Sequence, residues 1–520
     1  MVVCYLLLIL IGFTSAAEEF YSSIDQMKEL LHTEKDLVTS LENYIQAEEL
    51  KLEQIKSWAQ KLANLSAFAI QDPEGFLGHP VNAFKLLKRL NKDWSELEIL
   101  VLTNLSEAFI SKLSIGRQNF PKEGEQTGAA EALLRLQDTY ELDTNTLAKG
   151  ELPGISQFRG SLTVDDCYDL GIMAYNKNDF YHTVLWLSQA FRQLEQGETP
   201  VTVGAVTILD YLSFSFYKQG DLQRASEFTK KLLEIDPVHD RAIKNQKYYE
   251  FHLEQQKTGQ ETTETPKTGR TKHNAVYERL CRGDSIELTP HRRSGLFCRY
   301  HDNHRHPNLV IGPVKEEDVW DQPHIVRYHD VASEEDMEMI REWAKPKLKR
   351  SKVNDYKNNQ SRVSTVRVSQ NAWMDDTYAV ANRLSKRVGY VTGLEMTTAE
   401  QMQVVNYGVG GQYEPHVDFQ GDDIPEPYPK LGTGNRIATW LFYISDVQAG
   451  GATVFPDVGA IVEPIKGSAV LWYNLYLNGK GDYRTRHAAC PVLVGSKWVA
   501  NKWMHERGQE FRRRCSLENS

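Results

Sequence analysis

The stretch "NYGVGGQYEPHVDFQGDD", residues 406–423, places a histidine and an aspartate two positions apart, as His416 and Asp418. On a β-strand, side chains two positions apart point to the same face and lie about 7 Å apart along the backbone. An imidazole and a carboxylate that converge on one point are typical ligands of a transition metal. Because isolated H-x-D pairs are common, the rest of the chain has to supply the other parts of such a site.

A third metal ligand is available in "YRTRHAACP", residues 483–491. His487 follows the strand-like run "AVLWYNL" and the polar turn "NGKGD". Two imidazoles and one carboxylate form a facial set that leaves three positions of an octahedral iron(II) ion open for a co-substrate and dioxygen. We therefore predict that His416, Asp418 and His487 bind one iron(II) ion.

A lysine lies ten residues beyond the third ligand. Period-two alternation places Lys497 on one face of a predicted strand, which it shares with Val499, Asn501, Trp503 and His505. A cation buried inside a barrel is costly unless an anion pairs with it, and no acidic residue on the same strand is placed to do so. The pattern favours a bound dicarboxylate, with one end on the metal and the other at Lys497, over a lysine that reaches outward to solvent.

The C-terminal part of the chain is predicted to be rich in β-strands. From about residue 320 onward, short apolar runs are separated by glycine, proline and asparagine, and they read "STVRVS", "QVVNYG", "IATWLFYISDV", "AVLWYNL" and "KWVANKWMH". Helices are expected around 333–348 and 376–389. This layout indicates an all-β sandwich or barrel with preceding helices.

The N-terminal part is predicted to be helical. Apolar residues recur at alternating spacings of three and four, interrupted by Glu34 and Glu48, along a seam of Ile24, Met27, Leu31, Val38, Leu41, Ile45, Leu52, Ile55, Ala59 and Leu62. Such a seam predicts a long helix that pairs with another helix. Two partners stay open: a second copy of the chain, and helices within 81–146 of the same chain.

A second helical region begins near residue 165. The runs "LGIMAYNKNDFYHTVLWLSQAFRQL" (170–194) and "LDYLSFSFYKQGDLQRASEFTKKLLEIDP" (209–237) each contain an aromatic-rich helix, a turn and a second helix. Gly220, Ala225 and Pro237 stand where a tetratricopeptide-type helix pair needs a turn, a small packing residue and a stop. We predict a small module of one and a half to two and a half such units.

This module is unusually rich in aromatic residues, namely Tyr168, Tyr175, Phe180, Tyr181, Tyr211, Phe214, Phe216 and Tyr217. Helical spacing favours core packing for any single one of them. A buried tyrosine hydroxyl needs a partner, however, which makes so many tyrosines unusual in a core. An aromatic-lined groove would bind a proline-rich peptide, because a polyproline II chain is already extended and loses little entropy.

The first residues, "MVVCYLLLILIGFTSAAEEF", read as a secretory signal peptide with small residues at its end. No later segment is expected to cross a membrane, so the mature chain is expected to be soluble. The formal net charge of -10 argues against nucleic acid as a partner. Asn64, Asn104 and Asn359 each begin an N-x-S/T glycosylation acceptor, which suits a luminal or secreted protein.

Five cysteines follow the signal. Four of them fall as local pairs, Cys281 with Cys298 and Cys490 with Cys515, and Cys167 is left over. In an oxidising compartment, two disulfides and one free thiol are the simplest interpretation. A zinc site is disfavoured because the chain has no C-x-x-C pair.

The runs "YGVGGQYEPHVDF", "ATWLFYISDVQAGGATVFP", "GSAVLWYNL" and "RTRHAACPVLVGSKWVANKWMHERGQEF" resemble the catalytic domain of collagen prolyl 4-hydroxylase α subunits. The helical runs resemble the same family's peptide-substrate-binding domain and dimerisation region. The resemblance covers essentially the whole mature chain. It implies a multidomain α+β protein with a signal peptide (1–16), a helical coiled-coil dimerisation domain (17–150), a TPR-like peptide-binding domain (151–252), a linker (253–275) and a catalytic double-stranded β-helix of jelly-roll or cupin-like type (276–520).

Site residues follow from the resemblance position by position. The iron ligands fall on His416, Asp418 and His487, and the 2-oxoglutarate carboxylate falls on Lys497. Further roles match Tyr407, which helps to hold that carboxylate, His505, which tunes co-substrate binding and decarboxylation, Trp503 in the pocket wall, and Arg436 near the peptide proline. Peptide-groove tyrosines match Tyr175, Tyr181, Tyr211 and Tyr217, and the family's disulfides match the two local cysteine pairs. Phe180 and Phe214 stand where tyrosine is expected, so peptide preference could be shifted.

The resemblance also implies a reaction and partners. The chain would be a procollagen-proline 4-dioxygenase that uses iron(II), 2-oxoglutarate, dioxygen and ascorbate to hydroxylate C4 of proline in X-Pro-Gly sequences of unfolded collagen-like chains. It would assemble as an α2β2 tetramer with protein disulfide isomerase as β subunit. The end "SLENS" carries no K-D-E-L-type signal, so retention in the endoplasmic reticulum lumen is expected to depend on that partner.

Two alternatives come from other functional classes. A non-catalytic scaffold that binds proline-rich chains would have a broken metal set, whereas all three ligands and Lys497 are present. A zinc hydrolase on a cupin-like barrel would give Lys497 no dicarboxylate to bind. Stoichiometric succinate release would exclude the hydrolase.

Overall fold

The computed structural model describes residues 23–153, 160–200, 202–257, 275–355, 360–422, 424 and 426–517. The predicted signal peptide, Asn359 and most of the predicted linker lie outside these residues. Contacts divide the chain into two compact units, Asp25–Lys122 and a larger unit that contains Glu123–Ser520. Each unit is described by itself below.

The smaller unit is helical, as predicted. Its helices are α1 (Ile24–Gln71), α2 (Pro73–Gly78), α3 (Pro80–Lys88), α4 (Trp94–Leu102) and α5 (Glu107–Arg117). The long helix α1 folds back against α5: the rings of Tyr44 and Phe109 stack with centroids 6.0 Å apart, and Lys51 Nζ donates to the Thr103 carbonyl at 2.7 Å. Helices of the same chain are therefore one partner of α1.

Much of the apolar seam of α1 nevertheless stays exposed, at Met27, Leu31, Val38, Leu41, Ile45 and Leu52. The stretch Pro80–Arg117 is long and apolar enough to cross a membrane by length and composition alone, and only 6% of its apolar window is buried. This differs from the expectation that no later segment meets those criteria. The stretch is interrupted, because a π-helical turn spans Arg89–Asp93 and residues 103–106 are not helical.

The larger unit begins with helices α6 (Glu123–Tyr140) and α7 (Thr144–Ala148). The TPR-like module follows as α8 (Val164–Asn176), α9 (Phe180–Glu195), α10 (Ala205–Lys218), α11 (Leu222–Ile235) and α12 (Asp240–Lys257). These are two helix pairs and a half, at the upper end of the prediction. Gly220 ends the first helix of its pair with φ +85°, and Ala225 is fully buried where the two helices meet.

The described residues of the C-terminal part, from 275 to 517, form four α-helices and eighteen strands. The helices are α13 (Ala275–Cys281), α14 (Pro290–Arg293), α15 (Glu334–Ala344) and α16 (Ala379–Thr392). The strands are β1 (Cys298–His301), β2 (Val314–Trp320), β3 (Ile325–His329), β4 (Lys349–Arg350), β5 (Lys352–Asp355), β6 (Gln360–Val363), β7 (Arg367–Val368), β8 (Gln370–Met374), β9 (Met402–Tyr407), β10 (Gln412–His416), β11 (Arg436–Tyr443), β12 (Ala449–Gly450), β13 (Thr453–Phe455), β14 (Ala460–Val462), β15 (Ala469–Tyr473), β16 (His487–Ala489), β17 (Val492–Val494) and β18 (Lys497–His505).

Two antiparallel sheets form the barrel. The larger has the strand order β1-β2-β3-β15-β11-β18-β9-β8-β4, and the smaller has the order β14-β13-β16-β10-β7. The two helices expected in this region are present as α15 and α16. This is the predicted double-stranded β-helix, with long strands in one sheet and short ligand-bearing strands in the other.

Period-two alternation assigns the two faces of the larger sheet. On β11, Trp440 and Phe442 pack into the core shared with α15 and α16, whereas Leu441 and Tyr443 face the smaller sheet. The inward face therefore combines apolar packing with a few polar side chains, and these polar side chains form the site described below.

The predicted pairing of the cysteines is wrong in this structure. Cys281 at the end of α13 is joined to Cys490, 209 residues away in the chain, with their Cα atoms 5.5 Å apart. Helix α13 packs against the smaller sheet, where Tyr277, Leu280 and Cys281 share one buried cluster with Cys490. Cys298 and Cys515 are exposed and free. Cys167 is a free thiol, as predicted, and it is buried.

Candidate active site

A cavity of about 400 Å³ opens between the two sheets. The predicted site residues that line it are His416, Asp418, His487, Lys497, Tyr407, Trp503 and Arg436. His505, expected on the same face of β18, is not among the lining residues. The cavity therefore brings the predicted metal ligands and the predicted co-substrate residues together from five different segments of the chain.

The three predicted ligands meet at one point. Strand β10 ends at His416, which is the direct partner of His487 in the ladder with β16, and Asp418 follows just beyond the strand. His416 Nε2 lies 3.7 Å from Asp418 Oδ1, and His487 Nε2 lies 3.6 Å from Asp418 Oδ2. The ligand atoms all lie within 4.8 Å of one another. One cation can contact all three.

Backbone carbonyls fix which nitrogen of each imidazole faces the centre. His416 Nδ1 lies 2.8 Å from the Glu414 carbonyl oxygen, and His487 Nδ1 lies 3.0 Å from that of Thr485. A carbonyl can only accept, so each Nδ1 carries the hydrogen and each Nε2 presents a lone pair. This is the tautomer that a metal requires.

The carboxylate of Asp418 is held by two donors: Trp503, which was predicted in the pocket wall, and Thr439, which the sequence analysis did not single out. Its Oδ2 accepts hydrogen bonds from Thr439 Oγ1 at 2.7 Å and from Trp503 Nε1 at 2.9 Å. Asn474 Nδ2 in turn donates to Thr439 Oγ1 at 2.9 Å. The orientation of the ligand is therefore built into the larger sheet before any ion binds.

The electrostatics of the trio favour a cation. Burial and the neighbouring His487 lower the pKa of His416 well below its ordinary value, so this imidazole is neutral at pH 7. Burial would raise the pKa of Asp418, but His487, His416 and Arg436 together hold it well below its usual range. The neutral imidazole of His416, the ionised carboxylate of Asp418 and the imidazole of His487 are the donor set of a 2-His-1-carboxylate iron(II) site, so the residues present fit this metal.

Lys497 lies elsewhere in the cavity and is 1% exposed. Its Nζ is 3.5 Å from Thr453 Oγ1 and 5.6 Å from the ring centroids of Tyr407 and Tyr443. Within the described ranges no carboxylate forms an ion pair with it. Burial lowers the pKa of Lys497 to about 7, against a weak opposing effect of Glu463. An anion that enters the cavity would restore the charge.

Arg436 and His505 meet at a carboxylate that the sequence analysis did not single out. Arg436 Nε lies 2.5 Å from Glu400 Oε1, and His505 Nε2 lies 3.0 Å from the same oxygen. The guanidinium of Arg436 also stacks on Trp503, 3.8 Å from its ring centroid. His505 thus contacts the cavity only through Glu400 and Arg436. A bulge between Arg436 and Ala438 breaks the register of β11 with β18 at this point.

Most of the predicted peptide-binding aromatics form one cluster on the TPR-like module. The Tyr175 ring lies 4.9 Å from Tyr211, 5.7 Å from Phe180 and 6.1 Å from Phe214, and Phe214 lies 6.1 Å from Tyr217. These five side chains are half-buried. The Tyr181 ring lies 5.0 Å from that of His182. Phe216 is buried in the core.

The cluster extends beyond the predicted residues. The ring of Tyr248, on α12, lies 5.6 Å from that of Tyr217. Two cations lie over the rings: Lys218 Nζ is 5.8 Å from the Phe214 centroid, and the Arg241 guanidinium is 5.7 Å from that of Tyr211. The aromatic spacing of α12 in "KYYEFH" is a signal that could have found Tyr248.

The predicted glycosylation acceptors inside the described residues are exposed. Asn64 lies on α1 and Asn104 lies in the turn before α5. Both can be reached by a modifying enzyme as the structure stands.

Comparison with known families gives three matches along the chain. Residues 23–154 match "Prolyl 4-Hydroxylase alpha-subunit, N-terminal region", residues 164–255 match "Prolyl 4-hydroxylase peptide-substrate-binding domain", and residues 402–505 match "2OG-Fe(II) oxygenase superfamily". Together these matches span most of the chain and follow the order of its helical and β-rich parts.

Curated relatives match over nearly the whole length. The chain is 55% identical over 512 residues to "Prolyl 4-hydroxylase subunit alpha-1" of Bos taurus, with 96% of each chain covered, and equally similar to the protein of that name from Homo sapiens. It is 53% identical over 528 residues to "Prolyl 4-hydroxylase subunit alpha-2" of Gallus gallus, with 98% of each chain covered.

Proposed function

This chain belongs to the prolyl 4-hydroxylase α-subunit family, and from that premise we propose that it hydroxylates C4 of proline in X-Pro-Gly sequences of collagen-like chains. Its C-terminal part is a 2-oxoglutarate-dependent dioxygenase. The family uses iron(II), 2-oxoglutarate and dioxygen, and ascorbate is its typical reductant. Bound iron(II) would supply the oxidising chemistry, in which decarboxylation of 2-oxoglutarate to succinate accompanies transfer of one oxygen atom to proline.

The observation that carries the proposal is the buried ammonium of Lys497, which has no carboxylate partner among the described residues and lies in the same cavity as the three metal ligands. A buried cation without a protein anion is costly, so it marks a place for an anionic ligand. A five-carbon dicarboxylate has one end for the metal and one for Lys497. A zinc hydrolase would have no use for this ammonium, which disfavours that alternative.

The chain's own residues perform four tasks. His416, Asp418 and His487 hold the metal through atoms already oriented by their hydrogen bonds. Lys497, Thr453 and Tyr407 would receive the distal carboxylate of 2-oxoglutarate. Asp418, His487 and Lys497 are buried, and burial strengthens each of these charge interactions. Arg436, stacked on Trp503, lies where it could orient the peptide near the metal.

The aromatic cluster of the TPR-like module would hold the rest of the peptide. Proline rings pack on tyrosine faces, and a peptide already in the polyproline II conformation loses little conformational entropy when it binds. Lys218 and Arg241 would confer affinity for carbonyl oxygens or acidic side chains. Phe180 and Phe214 sit within this cluster, so their missing hydroxyls would alter which peptides bind best.

Assembly and location are also part of the proposal. The exposed apolar seam of α1 would pack against the same seam of a second copy, which gives two α subunits. Protein disulfide isomerase would complete an α2β2 tetramer in the endoplasmic reticulum lumen. The exposed acceptors Asn64 and Asn104 suit that compartment.

The test is co-expression with protein disulfide isomerase, followed by incubation with a (Pro-Pro-Gly)-type peptide, iron(II), 2-oxoglutarate and ascorbate. Mass spectrometry should detect 4-hydroxyproline, and succinate should form in equal amount. A His416→Ala variant purified in the same complex should be inert. Succinate without hydroxyproline, or hydroxylation that continues in the His416→Ala complex, would overturn the proposal.

A further inference from the structure

Helix α6 precedes the TPR-like module in the chain, yet it packs on the barrel. Arg135 Nη1 donates to the Gly410 carbonyl oxygen at 2.5 Å, across 275 residues of sequence. Tyr140 Oη donates to the Pro491 carbonyl oxygen at 2.6 Å, across 351 residues. Arg282 Nη1 donates to the Thr139 carbonyl at 2.8 Å. One helix is therefore tied to two separate turns of the barrel.

The first of these turns leads into the strand that carries the metal ligand His416. Gly410 has φ +70°, and a Cβ placed there would lie 2.6 Å from the Cβ of Ala132 on α6. This distance leaves no room for a side chain at position 410, so the backbone of the turn packs directly against α6. Gly410 N also donates to the Val492 carbonyl at 2.8 Å. The start of β10 is thus fixed from both sides.

The second contact of α6, at Gly450, Gly451 and Pro491, lies beside Lys497, which we propose binds the distal carboxylate of 2-oxoglutarate. The Pro491 carbonyl that accepts from Tyr140 also accepts from Gly451 N at 3.1 Å. A Cβ at Gly450 would overlap the Tyr140 hydroxyl, and a Cβ at Gly451 would lie 3.4 Å from Lys497 Cδ. Tyr140 therefore holds the segment against which the stem of Lys497 packs.

The opposite side of α6 contacts the TPR-like module. Trp186 Nε1 donates to Gln137 Oε1 at 3.0 Å, and His182 Nε2 lies 3.1 Å from Asp138 Oδ1. Both α9 side chains are buried. The helix thus has one face toward the peptide-binding part and another toward the barrel, and these faces can be altered independently.

We propose that α6 is a positioning element of the co-substrate cleft, with Arg135 positioning the metal-bearing strand through Gly410 and Tyr140 positioning Lys497 through Gly450 and Gly451. The N-terminal region would then contribute to 2-oxoglutarate binding as well as to assembly. This inference rests on the proposed function. It makes Arg135 and Tyr140 positioning residues, since neither lines the cavity.

The experiment uses the full complex with Mn(II) in place of iron and without dioxygen, so that no turnover is needed. Manganese affinity is measured by electron paramagnetic resonance, and 2-oxoglutarate affinity by calorimetry on the loaded protein. Tyr140→Phe removes one hydroxyl and should weaken 2-oxoglutarate about 5-fold with manganese affinity unchanged. Arg135→Met keeps an apolar stem and should weaken manganese about 10-fold.

Two controls accompany these variants. Asp138→Asn alters the face toward the TPR-like module, and Gln126→Ala alters an exposed position of the same helix. Both should leave the two affinities at the wild-type value. If Tyr140→Phe and Arg135→Met lower the unfolding temperature while both affinities stay unchanged, α6 is only structural and the inference is wrong. If the wild-type complex itself binds no 2-oxoglutarate, the proposed function fails, which is a distinguishable result.

Discussion

Lys497 and Lys502 lie five residues apart on β18, and both side chains are buried. In the part of the chain that the structure describes, only Lys502 of these two has a carboxylate partner, with its Nζ 2.8 Å from Asp376 Oδ2. The two lysines point to opposite faces of the strand. Lys502 faces the helix-covered side and is satisfied by the protein. Lys497 faces the cavity, where its anion has to come from a ligand.

Substitution of these two lysines should therefore have different consequences. Lys497→Ala should weaken 2-oxoglutarate binding by about 2–5 kcal/mol, which is roughly 30- to 4,000-fold, because a desolvated charge pair is lost. The unfolding temperature should not fall. Lys502→Met should instead destabilise the protein by about 1–3 kcal/mol, because Asp376 loses its charged donor. Calorimetry and thermal unfolding of both variants distinguish the two roles, and the reverse pattern would refute them.

Binding of 2-oxoglutarate should weaken as the pH rises above about 7. Burial lowers the pKa of Lys497 to about 7 in the ligand-free protein, so above that pH a proton must be taken up before the ammonium can pair with the carboxylate. Calorimetry in buffers of different ionisation enthalpy should detect this uptake at pH 8 and little of it at pH 6. Lys497→Arg, charged throughout, should remove the pH dependence. A flat profile in the wild type would contradict the assignment.

Thr439→Val should weaken metal binding about 10- to 100-fold. The hydroxyl of Thr439 donates to Asp418 Oδ2 at 2.7 Å, and partners that orient a ligand typically contribute this much to metal affinity. Manganese titration followed by electron paramagnetic resonance measures the effect without turnover. Thr397→Val, at an exposed position, is the matched control. Equal affinity of both variants would remove Thr439 from the site.

The junction between α6 and α9 should lose stability as the pH rises from 6.5 to 9. Burial alone would lower the pKa of His182, but hydrogen bonds to Asp138 and Asp179 raise it to about 9. A group with a raised pKa stabilises the fold fully below its ordinary value of 6.5, and this contribution is lost through pH 9. A rise of the pKa from 6.5 to about 9 corresponds to about 3 kcal/mol. Amide exchange of α9 should show the loss, and a His182→Gln complex should show none.

If the proposed α2β2 assembly forms through the seam of α1, charges placed in that seam should separate its two α subunits. Val38 and Ile45 are exposed on α1, and burying a glutamate at either position in a helix pair would be costly. A Val38→Glu, Ile45→Glu double variant should sediment as one α subunit with one β subunit. Glu49→Gln, also on the exposed surface of α1, should leave the larger assembly intact. A double variant with wild-type mass would place the second copy elsewhere.

Much of the site could be predicted from local patterns. Lys497 and Trp503 lie on one strand, so strand periodicity brings them to one face. His416 and Asp418 are two residues apart and do converge, although β10 ends at His416 and Asp418 lies just beyond it. His505 lies two positions beyond Trp503 on the same strand but does not line the cavity, because strand periodicity does not say where the cavity ends. A bulge next to Arg436 also breaks the alternation of β11, and no residue pattern announced it.

Contacts between distant segments could not be predicted. Cys281 is near Cys298 in sequence, but α13 packs on the smaller sheet beside Cys490, and only the tertiary arrangement reveals this. Glu400 and Thr439 are ordinary residues in their local sequence, and they matter because they face Arg436 and Asp418 across the barrel. The largely exposed seam of α1 shows the same limit: its periodicity predicts a helix, but not which surface covers it.

The seating of α6 against Gly410 has a consequence for anyone who wishes to prepare the barrel alone. Chain order runs from α6 through the whole TPR-like module to the barrel, so no continuous fragment contains both α6 and the cleft unless it also contains everything between them. A fragment that starts at the linker would expose the undersides of both glycine turns to water. Inhibitor screens on such a shortened protein would measure binding to a cleft that lacks its contacts with α6. The shortest fragment that keeps these contacts begins near Glu123.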